Sequence, residues 1–206
     1  MMKNLFQILC GLFLVVSYSS CMHSEEDKVD VLIIGGGASG VTSGIQSARM
    51  GANTLILEES TWLGGMLTSA GVSAVDGNYR LPAGLWGEFK NRLSDYYGGL
   101  DSLKTGWVSN VLFEPSVGNK ILHEMVAAEN NLKVWKQACL EEVKRTGDEW
   151  VAKVKVEGQG VKTVRAKVMI DATELGDVAK MCGVKYDIGM ELSLIHISEP
   201  TRLQLI

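Results

Sequence analysis

The sequence predicts an α/β fold built on a parallel sheet, and two patterns carry the prediction. Residues 29–58 run as buried strand, glycine-rich turn, helix and second buried strand, which is one β-α-β unit. Residues 140–170 then alternate apolar and polar side chains, which predicts a three-stranded antiparallel meander. The content of 46% hydrophobic residues excludes a disordered chain. The formal charge of −4 gives no reason to expect a nucleic-acid partner.

The elements of the first half follow from apolar runs and the glycines that interrupt them. Residues 29–34 (VDVLII) are almost continuously apolar, as in a strand buried on both faces of a parallel sheet. A glycine cluster ends this strand, and residues 41–50 predict a helix that stops at Gly51. Residues 54–57 (TLIL) predict a second buried strand.

Two helices and a short strand are predicted before the meander. Residues 82–97 carry apolar side chains at every fourth position, which predicts an amphipathic helix. Residues 115–130 predict another helix, opened by a proline. Residues 132–135 (LKVW) predict a short strand. The turns between the meander strands are predicted at 146–148 and 158–160, where glycines interrupt the alternation.

Residues 1–20 predict an export signal peptide. Their apolar run is shorter than the ~20 residues of a membrane-spanning helix, and a lysine precedes it. Small residues then lead to Cys21 in a pattern that resembles a bacterial lipobox, with Tyr18 in place of the usual leucine. The resemblance implies lipidation of Cys21, a polar tether at 21–28 and a lipid-anchored location in the bacterial cell envelope, on its periplasmic or surface side. An ordinary cleaved signal peptide and an uncleaved anchor are the alternatives.

The C-terminal segment at 192–206 is predicted to be a non-native tail. Its first eleven residues (LSLIHISEPTR) match an in-frame translation of a sequencing-library adapter. Such a segment is set aside from the reasoning on the fold. The folded domain is therefore placed at 29–191, and the natural sequence is expected to continue beyond Glu191.

The glycine cluster after the first strand is the strongest functional signal. Gly35, Gly37 and Gly40 satisfy the GxGxxG pattern between a predicted strand and a predicted helix. Gly35 allows a tight turn, Gly37 lets a pyrophosphate approach the backbone, and Gly40 lets the helix pack against the strand. The amides of Ala38 and Ser39 would receive phosphate oxygens at the positive end of the helix dipole. A purely structural glycine turn is the alternative.

An acidic residue at the end of the second strand completes a dinucleotide-binding pattern. Glu58 follows the first glycine by about 20 residues, the spacing of the acid that binds a ribose 2′-OH. Its carboxylate would repel a 2′-phosphate, which argues against NADP. Glu59 is the adjacent competitor for this role, and a strand-end acid without a binding role is the other alternative.

Four segments together resemble the FAD-dependent oxidoreductases that have a glutathione-reductase-like FAD-binding domain. These segments are VDVLIIGGGASG, LILEES, WLGGMLTSAG and VMIDATELGD. The resemblance implies an α/β fold with a parallel Rossmann-like FAD/NAD(P)-binding sheet and an antiparallel β-meander, truncated before the substrate domain. It also implies flavin-mediated hydride or electron transfer on a small-molecule substrate. The substrate, the electron acceptor and any redox partner stay open.

The resemblance assigns cofactor-binding residues as well. The glycine loop would hold the FAD pyrophosphate, Glu58 the adenosine ribose, and residues 64–66 the passage toward the flavin. Leu140 would meet adenine through its backbone. The DAT segment (residues 171–173) would return to the cofactor. The full set implied to bind FAD is Gly35, Gly37, Ala38, Ser39, Gly40, Glu58, Gly64, Gly65, Met66, Leu140, Ala172 and Thr173. Catalytic residues are expected partly in the substrate domain, so none is assigned.

Several other side chains receive a structural interpretation. Glu174 stands where many relatives have glycine, so a close backbone contact with FAD is not expected there. Cys139 and Cys182 are expected to be small buried hydrophobic residues, and the cysteine spacing predicts no metal or iron–sulfur site. His123 is interpreted as structural. Asp177 is expected to cap a short helix that follows it.

Two alternative functions stay open at this point. One is an NAD-linked dehydrogenase, although a simple NAD domain would continue with alternating β-α-β units instead of a meander. The other is a non-catalytic nucleotide-binding fragment, because a shortened chain can bind a nucleotide without turning over a substrate.

Overall fold

A computed structural model describes residues 26–75, 77, 79–107 and 109–186 of the chain. Two short 3-10 helices lie at Gly65–Leu67 and Leu100–Leu103. The strands are β1 (Glu26–Ile34), β2 (Thr54–Glu58), β3 (Leu132–Lys136), β4 (Ala138–Thr146), β5 (Glu149–Val156) and β6 (Gly160–Asp171). The α-helices are α1 (Ala38–Arg49), α2 (Gly84–Tyr97), α3 (Pro115–Ala127) and α4 (Asp177–Met181).

Both predicted terminal segments lie outside the described residues. These are the signal peptide at 1–20 with the lipidation site Cys21, and the non-native tail at 192–206. Within the described ranges, every helix is too short or too polar to cross a membrane.

The strands form one sheet in the order β3-β2-β1-β6-β5-β4. β1 lies parallel to β2 and to β6, and β2 lies parallel to β3. β4, β5 and β6 pair antiparallel. The 12-residue strand β6 belongs to both parts, because it pairs with β5 near its start and with β1 over most of its length. The predicted parallel Rossmann-like sheet with an antiparallel meander is confirmed.

Apolar side chains cover both faces of the parallel part of the sheet. Successive side chains of a strand point to opposite faces. Ile33 and Ile56 therefore pack with the helices, whereas Leu32 and Leu55 pack with side chains of the meander. All four are at most 1% exposed, and burial of each contributes roughly 1.5–3 kcal/mol. This two-sided burial explains the continuous apolar run of β1.

Helix α1 begins earlier than the sequence predicted. It starts at Ala38 instead of residue 41, because Gly37 has an extended backbone and already acts as the N-cap. The helix stops just before Gly51, as predicted, and Gly51 has a left-handed φ of +92°. A Cβ on Gly44 would lie 2.6 Å from Cδ1 of Ile56. This glycine therefore lets α1 pack closely on β2.

Strand β1 also begins earlier than predicted. The polar tether was placed at 21–28, but Glu26, Asp27 and Lys28 are part of β1 and pair with residues 163–165 of β6. Oε1 of Glu26 lies 2.6 Å from Nε of Arg165 in an ion pair across these strands. A polar run can thus form a strand where a neighbouring strand supplies the hydrogen bonds and the opposite charge.

Cys139 and Cys182 are exposed, and the prediction that they are buried is wrong. Cys139 lies on β4, an edge strand of the sheet, where alternate side chains face solvent. Cys182 follows the last residue of α4 at the surface. Although Cys139 is exposed as a residue, partial desolvation of its thiol raises the pKa, and the Glu59 carboxylate raises it further. This thiol is therefore protonated at neutral pH.

The prediction that Asp177 caps the last helix is also wrong. Gly176 is the N-cap of α4, in a left-handed conformation, and Asp177 is the first helical residue. The amide of Asp177 donates to Oγ1 of Thr173 (3.0 Å), and the amide of Ala179 donates to Oδ2 of Asp171 (2.8 Å). The free amides at the helix start are thus satisfied from the end of β6.

Candidate functional site

A cleft of about 430 Å³ opens at the carboxyl ends of β1 and β2. Its volume is within the range of 300–1,000 Å³ that is usual for small-molecule sites. Ligands of open α/β sheets bind at this end of the strands. Among the residues predicted to bind the cofactor, those that line the cleft are Gly35, Gly37, Glu58, Gly65, Met66, Leu140, Ala172 and Thr173. The predicted residues Ala38, Ser39, Gly40 and Gly64 do not line it but lie beside its glycine loop.

The glycine loop is packed so tightly that side chains do not fit at two positions. Gly35 has a φ of +102°, and a Cβ there would lie 2.4 Å from the carbonyl oxygen of Ala172. A Cβ on Gly40 would lie only 1.8 Å from the carbonyl oxygen of Gly35. Real Cβ atoms do not approach so closely, so both positions require glycine. The loop is therefore held against the DAT segment on one side and the start of α1 on the other.

Gly37 differs from its two neighbours in the motif. Its φ of −65° is ordinary, and among the described residues the only atom within 4 Å of a Cβ there would be Oε1 of Glu174, at 3.9 Å. This side of Gly37 faces the cleft, and a glycine here leaves room for a ligand to approach the backbone. The fold alone does not require glycine at this position.

The start of α1 offers hydrogen-bond donors beside the cleft. Among the described residues, the predicted donors, the amides of Ala38 and Ser39, have no hydrogen-bond acceptor, and neither has the amide of Gly40; no side chain caps the helix at Gly37. Free amides at the positive end of a helix dipole are donors for phosphate oxygens. The residues present at this end of the cleft therefore fit a pyrophosphate.

Glu58 is fixed by the backbone at the end of β2. Its Oε2 accepts a hydrogen bond of 2.7 Å from the amide of Gly36, and its Oε1 accepts one of 2.7 Å from the amide of Ser60. A carboxylate oxygen has two lone pairs, so each oxygen keeps an acceptor site for a ribose hydroxyl. Glu59 also lines the cleft, but its carboxylate accepts no hydrogen bond from the described residues.

Gly65 and Met66 line the cleft, and Gly64 before them lies against the glycine loop. Gly64 and Gly65 both have left-handed backbones, with φ of +107° and +53°. The amide of Gly64 donates to the carbonyl oxygen of Gly36 at 2.8 Å, which docks the two loops together. A Cβ on Gly65 would lie 3.1 Å from Cα of Gly37. The Met66 side chain is 56% exposed beside the cleft.

The far end of the cleft depends on a residue that the sequence did not indicate. Gln137 is the only non-glycine residue with a positive φ, +51°, in the described part of the chain. Its carbonyl oxygen accepts from the amide of Glu157 at 2.9 Å, and its side-chain amide also donates to Glu157. This bend takes the chain from β3 to β4, at the opposite end of the sheet order, and brings Ala138 and Leu140 to the cleft. A glutamine carries no sequence signal for such a bend.

Asp171 supports the DAT segment instead of lining the cleft. Its Oδ1 accepts from the amide and the hydroxyl of Thr173, at 3.0 and 2.6 Å. Burial alone would raise the pKa of the Asp171 carboxyl, but the hydrogen bonds from Thr173 and the Ala179 amide outweigh it and hold the pKa below its ordinary value. The carboxylate thus fixes Ala172 and Thr173 at the edge of the cleft.

The charged side chains that line the cleft are all acidic. They are Glu58, Glu59, Glu174 and Asp177, and no lysine, arginine or histidine is among the described lining residues. The described part of the chain also holds no group of three His, Cys, Asp or Glu side chains placed to bind a metal ion. Positive potential in the cleft therefore comes from backbone amides and the dipole of α1.

His123 lies away from this cleft on α3. Its Nε2 is buried without a hydrogen-bond partner among the described residues. Burial lowers the pKa of the His123 imidazole, and the charge of Lys136 lowers it further. The ring is therefore neutral at neutral pH, and its structural interpretation stays a prediction.

Solved structures with this fold include several flavoproteins. A flavoprotein/dehydrogenase from Cytophaga hutchinsonii is 18% identical with a TM-score of 0.60, over 80% of this chain and 44% of that chain. The OxyS anhydrotetracycline hydroxylase from Streptomyces rimosus is 14% identical with a TM-score of 0.58, over 80% and 35%. The flavin-dependent monooxygenase PieE, solved with FAD and substrate, is 15% identical with a TM-score of 0.51, over 78% and 33%. This chain thus spans less than half the length of these proteins.

The family described as FAD dependent oxidoreductase matches residues 30–202. The match covers most of the chain and continues into the segment at 192–206 that was predicted to be non-native. No curated protein matches the chain. The resemblance inferred from the four sequence segments is confirmed, as is the predicted cofactor. The chain belongs to the FAD-dependent oxidoreductase family, and its cofactor is FAD.

Proposed function

We propose that this chain is the FAD-binding part of an oxidoreductase and that the cleft holds the ADP half of FAD. The observation that carries the proposal is that the free amides of α1 and the anchored carboxylate of Glu58 border the same cleft. Phosphate and ribose are the two groups of ADP that need such partners, and they are adjacent in the molecule. The presence of both donors and an acceptor at one cleft supports this ligand over one with a single polar group.

Each part of the cleft then has a separate task. The amides of Ser39 and Gly40 bind phosphate oxygens, and Gly37 leaves the space for them. Glu58 accepts hydrogen bonds from the ribose hydroxyls. The backbone near Leu140 borders adenine, and Gly65 and Met66 border the ribityl chain on its way to the flavin. These proposed contacts follow one another along the cleft, at the carboxyl ends of β1 and β2.

FAD, when bound, supplies hydride or electron transfer, and the protein supplies binding and orientation. We propose a small-molecule substrate. The solved neighbours include a hydroxylase and a dehydrogenase, so they do not select a substrate class. Because this chain spans less than half of their length, we propose that it binds FAD and that turnover requires residues beyond it. No side chain of this chain is assigned a catalytic role.

A flavin spectrum tests the proposal directly. The full chain purified from an expressing cell is expected to be yellow and to release FAD on denaturation. After removal of FAD, titration with FAD, NAD and NADP should give saturable binding with FAD alone, measured by flavin fluorescence and by calorimetry. Binding of NAD without binding of FAD would favour the dehydrogenase alternative instead. The meander between β3 and β6 supports FAD, because a simple NAD domain has alternating β-α-β units there.

We also propose a lipid-anchored location in the bacterial cell envelope. The support comes from the sequence, where a short apolar run and small residues precede Cys21. A thioether-linked lipid with several acyl chains would anchor the protein stably, at ~0.8 kcal/mol per buried CH₂ group. The domain that follows would then act at the membrane surface.

A further inference from the structure

Glu174 carries a negative charge directly over the glycine loop. Its Oε1 lies 3.3 Å from the point that a Cβ on Gly65 would occupy and 3.9 Å from the corresponding point on Gly37. The backbone just before it is held in place, because the amide of Ala172 donates to the carbonyl oxygen of Ile34 at 2.8 Å and the amide of Thr173 donates to Oδ1 of Asp171 at 3.0 Å. The carboxylate therefore lies between the two glycine-containing loops, at the start of α1.

This carboxylate is not neutralised by its surroundings. Among the described residues it has no salt bridge and accepts no hydrogen bond, whereas the Glu58 carboxylate accepts two. The cleft has no basic side chain among its described lining residues. The diphosphate of FAD carries two negative charges, and the free amides that fit it belong to α1, next to this carboxylate.

We propose that Glu174 lowers the affinity of the site for FAD. The negative charge of its carboxylate repels the negatively charged diphosphate. The inference depends on the proposed placement of FAD in the cleft. Two like charges about 4 Å apart in water repel by about 1 kcal/mol, so one carboxylate beside the diphosphate predicts up to about a tenfold loss of affinity. Position 174 has no left-handed φ, so replacing glutamate there introduces no backbone strain.

The experiment is a titration of the FAD-depleted full chain with FAD, followed by flavin fluorescence. Glu174→Gln keeps the size of the side chain and removes its charge. We expect this variant to bind FAD three- to tenfold more tightly than the unchanged chain, at about 0.02 M salt. The gain should shrink toward unity at about 1 M salt, where the Debye length falls to about 3 Å. The melting temperature without FAD should not change.

Glu124→Gln is the matched control, because it removes the same charge on the exposed side of α3, outside the cleft. It should leave FAD affinity unchanged, and an equal gain in this control would overturn the inference. Weaker binding by Glu174→Gln would also overturn it, since the carboxylate would then be favouring FAD, for example by accepting a hydrogen bond from a ribityl hydroxyl. Equal affinity of the Glu174→Gln variant and the unchanged chain would overturn this inference alone. No FAD binding by any of the three proteins would overturn the proposed function with it.

Discussion

The Glu58 carboxylate accepts a hydrogen bond of 2.7 Å from the amide of Gly36, which lies 22 residues earlier in the chain. This bond joins the end of β2 to the glycine loop through the protein's own groups. The other oxygen holds the amide of Ser60 at 2.7 Å. The residue proposed to bind ribose therefore also organises the loop proposed to bind phosphate, and the two roles can be separated by measurement.

Glu58→Ala should weaken FAD binding by about one to two decades. Charge-assisted hydrogen bonds contribute about 1.5–3 kcal/mol, and 1.4 kcal/mol corresponds to a tenfold change in affinity. The free energy of unfolding without FAD should also fall by about 1–3 kcal/mol, because the buried amide of Gly36 loses its acceptor. FAD titration and urea unfolding measure the two effects. Glu59→Ala is the control, and a larger loss of FAD affinity in this control would contradict the assignment of Glu58.

Gly37→Ala and Gly40→Ala should separate binding from folding. A methyl group on Gly40 would clash with the carbonyl oxygen of Gly35, so this variant should lose about 3 kcal/mol or more of stability. A methyl group on Gly37 would meet only Glu174 at 3.9 Å, so stability should change by less than about 1 kcal/mol. FAD affinity of Gly37→Ala should nevertheless fall at least about tenfold, as the methyl group takes space next to the phosphates. Thermal melts measure the stability of both variants, and FAD titration measures their affinity. Normal FAD binding by Gly37→Ala would contradict the role proposed for Gly37.

The Asp171 carboxylate should stabilise the folded protein at neutral pH, and this stabilisation should be lost at acidic pH. Its pKa in the folded state lies below the ordinary value of 3.8. A carboxyl with a depressed pKa contributes stability above its unfolded pKa and loses it as the pH falls through the folded pKa. Asp171→Asn should therefore cost about 1 kcal/mol at about pH 7, discounted because the site is partly solvated. The difference from the unchanged chain should shrink below about pH 4. Urea unfolding across this range tests it, and a difference that grows on acidification would refute the assignment.

The parts of this fold that the sequence predicted are those encoded by local pattern. The runs that form β1 and β2 are buried on both faces, and the glycine motif lies between a strand and a helix, so neighbouring residues suffice to identify them. The fold and the cofactor followed from these segments. Most of the cleft followed too, because the carboxyl ends of parallel strands meet at one edge of a sheet.

The parts that were missed depend on contacts far along the chain. Glu26 joins β1 because it pairs with Thr163 of β6 and forms an ion pair with Arg165, 139 residues later. Asp171 satisfies the start of α4 in place of Asp177, because the end of β6 turns back over the helix. Gln137 adopts a left-handed backbone as the single residue between β3 and β4, which stand at opposite ends of the strand order. None of these relationships leaves a periodic signal.

Cys21→Ala should move the protein from the membrane fraction to the soluble fraction. The reason is that the proposed lipids attach to this cysteine and supply the membrane affinity. Fractionation of cells that express the full chain, followed by immunoblotting, measures the partition. Cys10→Ala serves as the control, because it changes a cysteine within the predicted signal peptide and leaves the proposed lipidation site intact. An unchanged membrane fraction for Cys21→Ala would show that the segment before it is an uncleaved anchor.

Deletion of residues 192–206 should leave the thermal stability unchanged. The segment LSLIHISEPTR matches an adapter translation, and such a segment has not been selected to pack against the domain. The family match nevertheless continues to residue 202, which allows the opposite expectation that these residues are native. The two expectations differ in a measurable way, because native residues packed on the domain would lower the melting temperature when removed. For a domain of this size, a loss of 1 kcal/mol lowers the melting temperature by roughly 2–4 °C. Calorimetry of the full chain and of a chain that ends at Glu191, with FAD bound in both, decides between them.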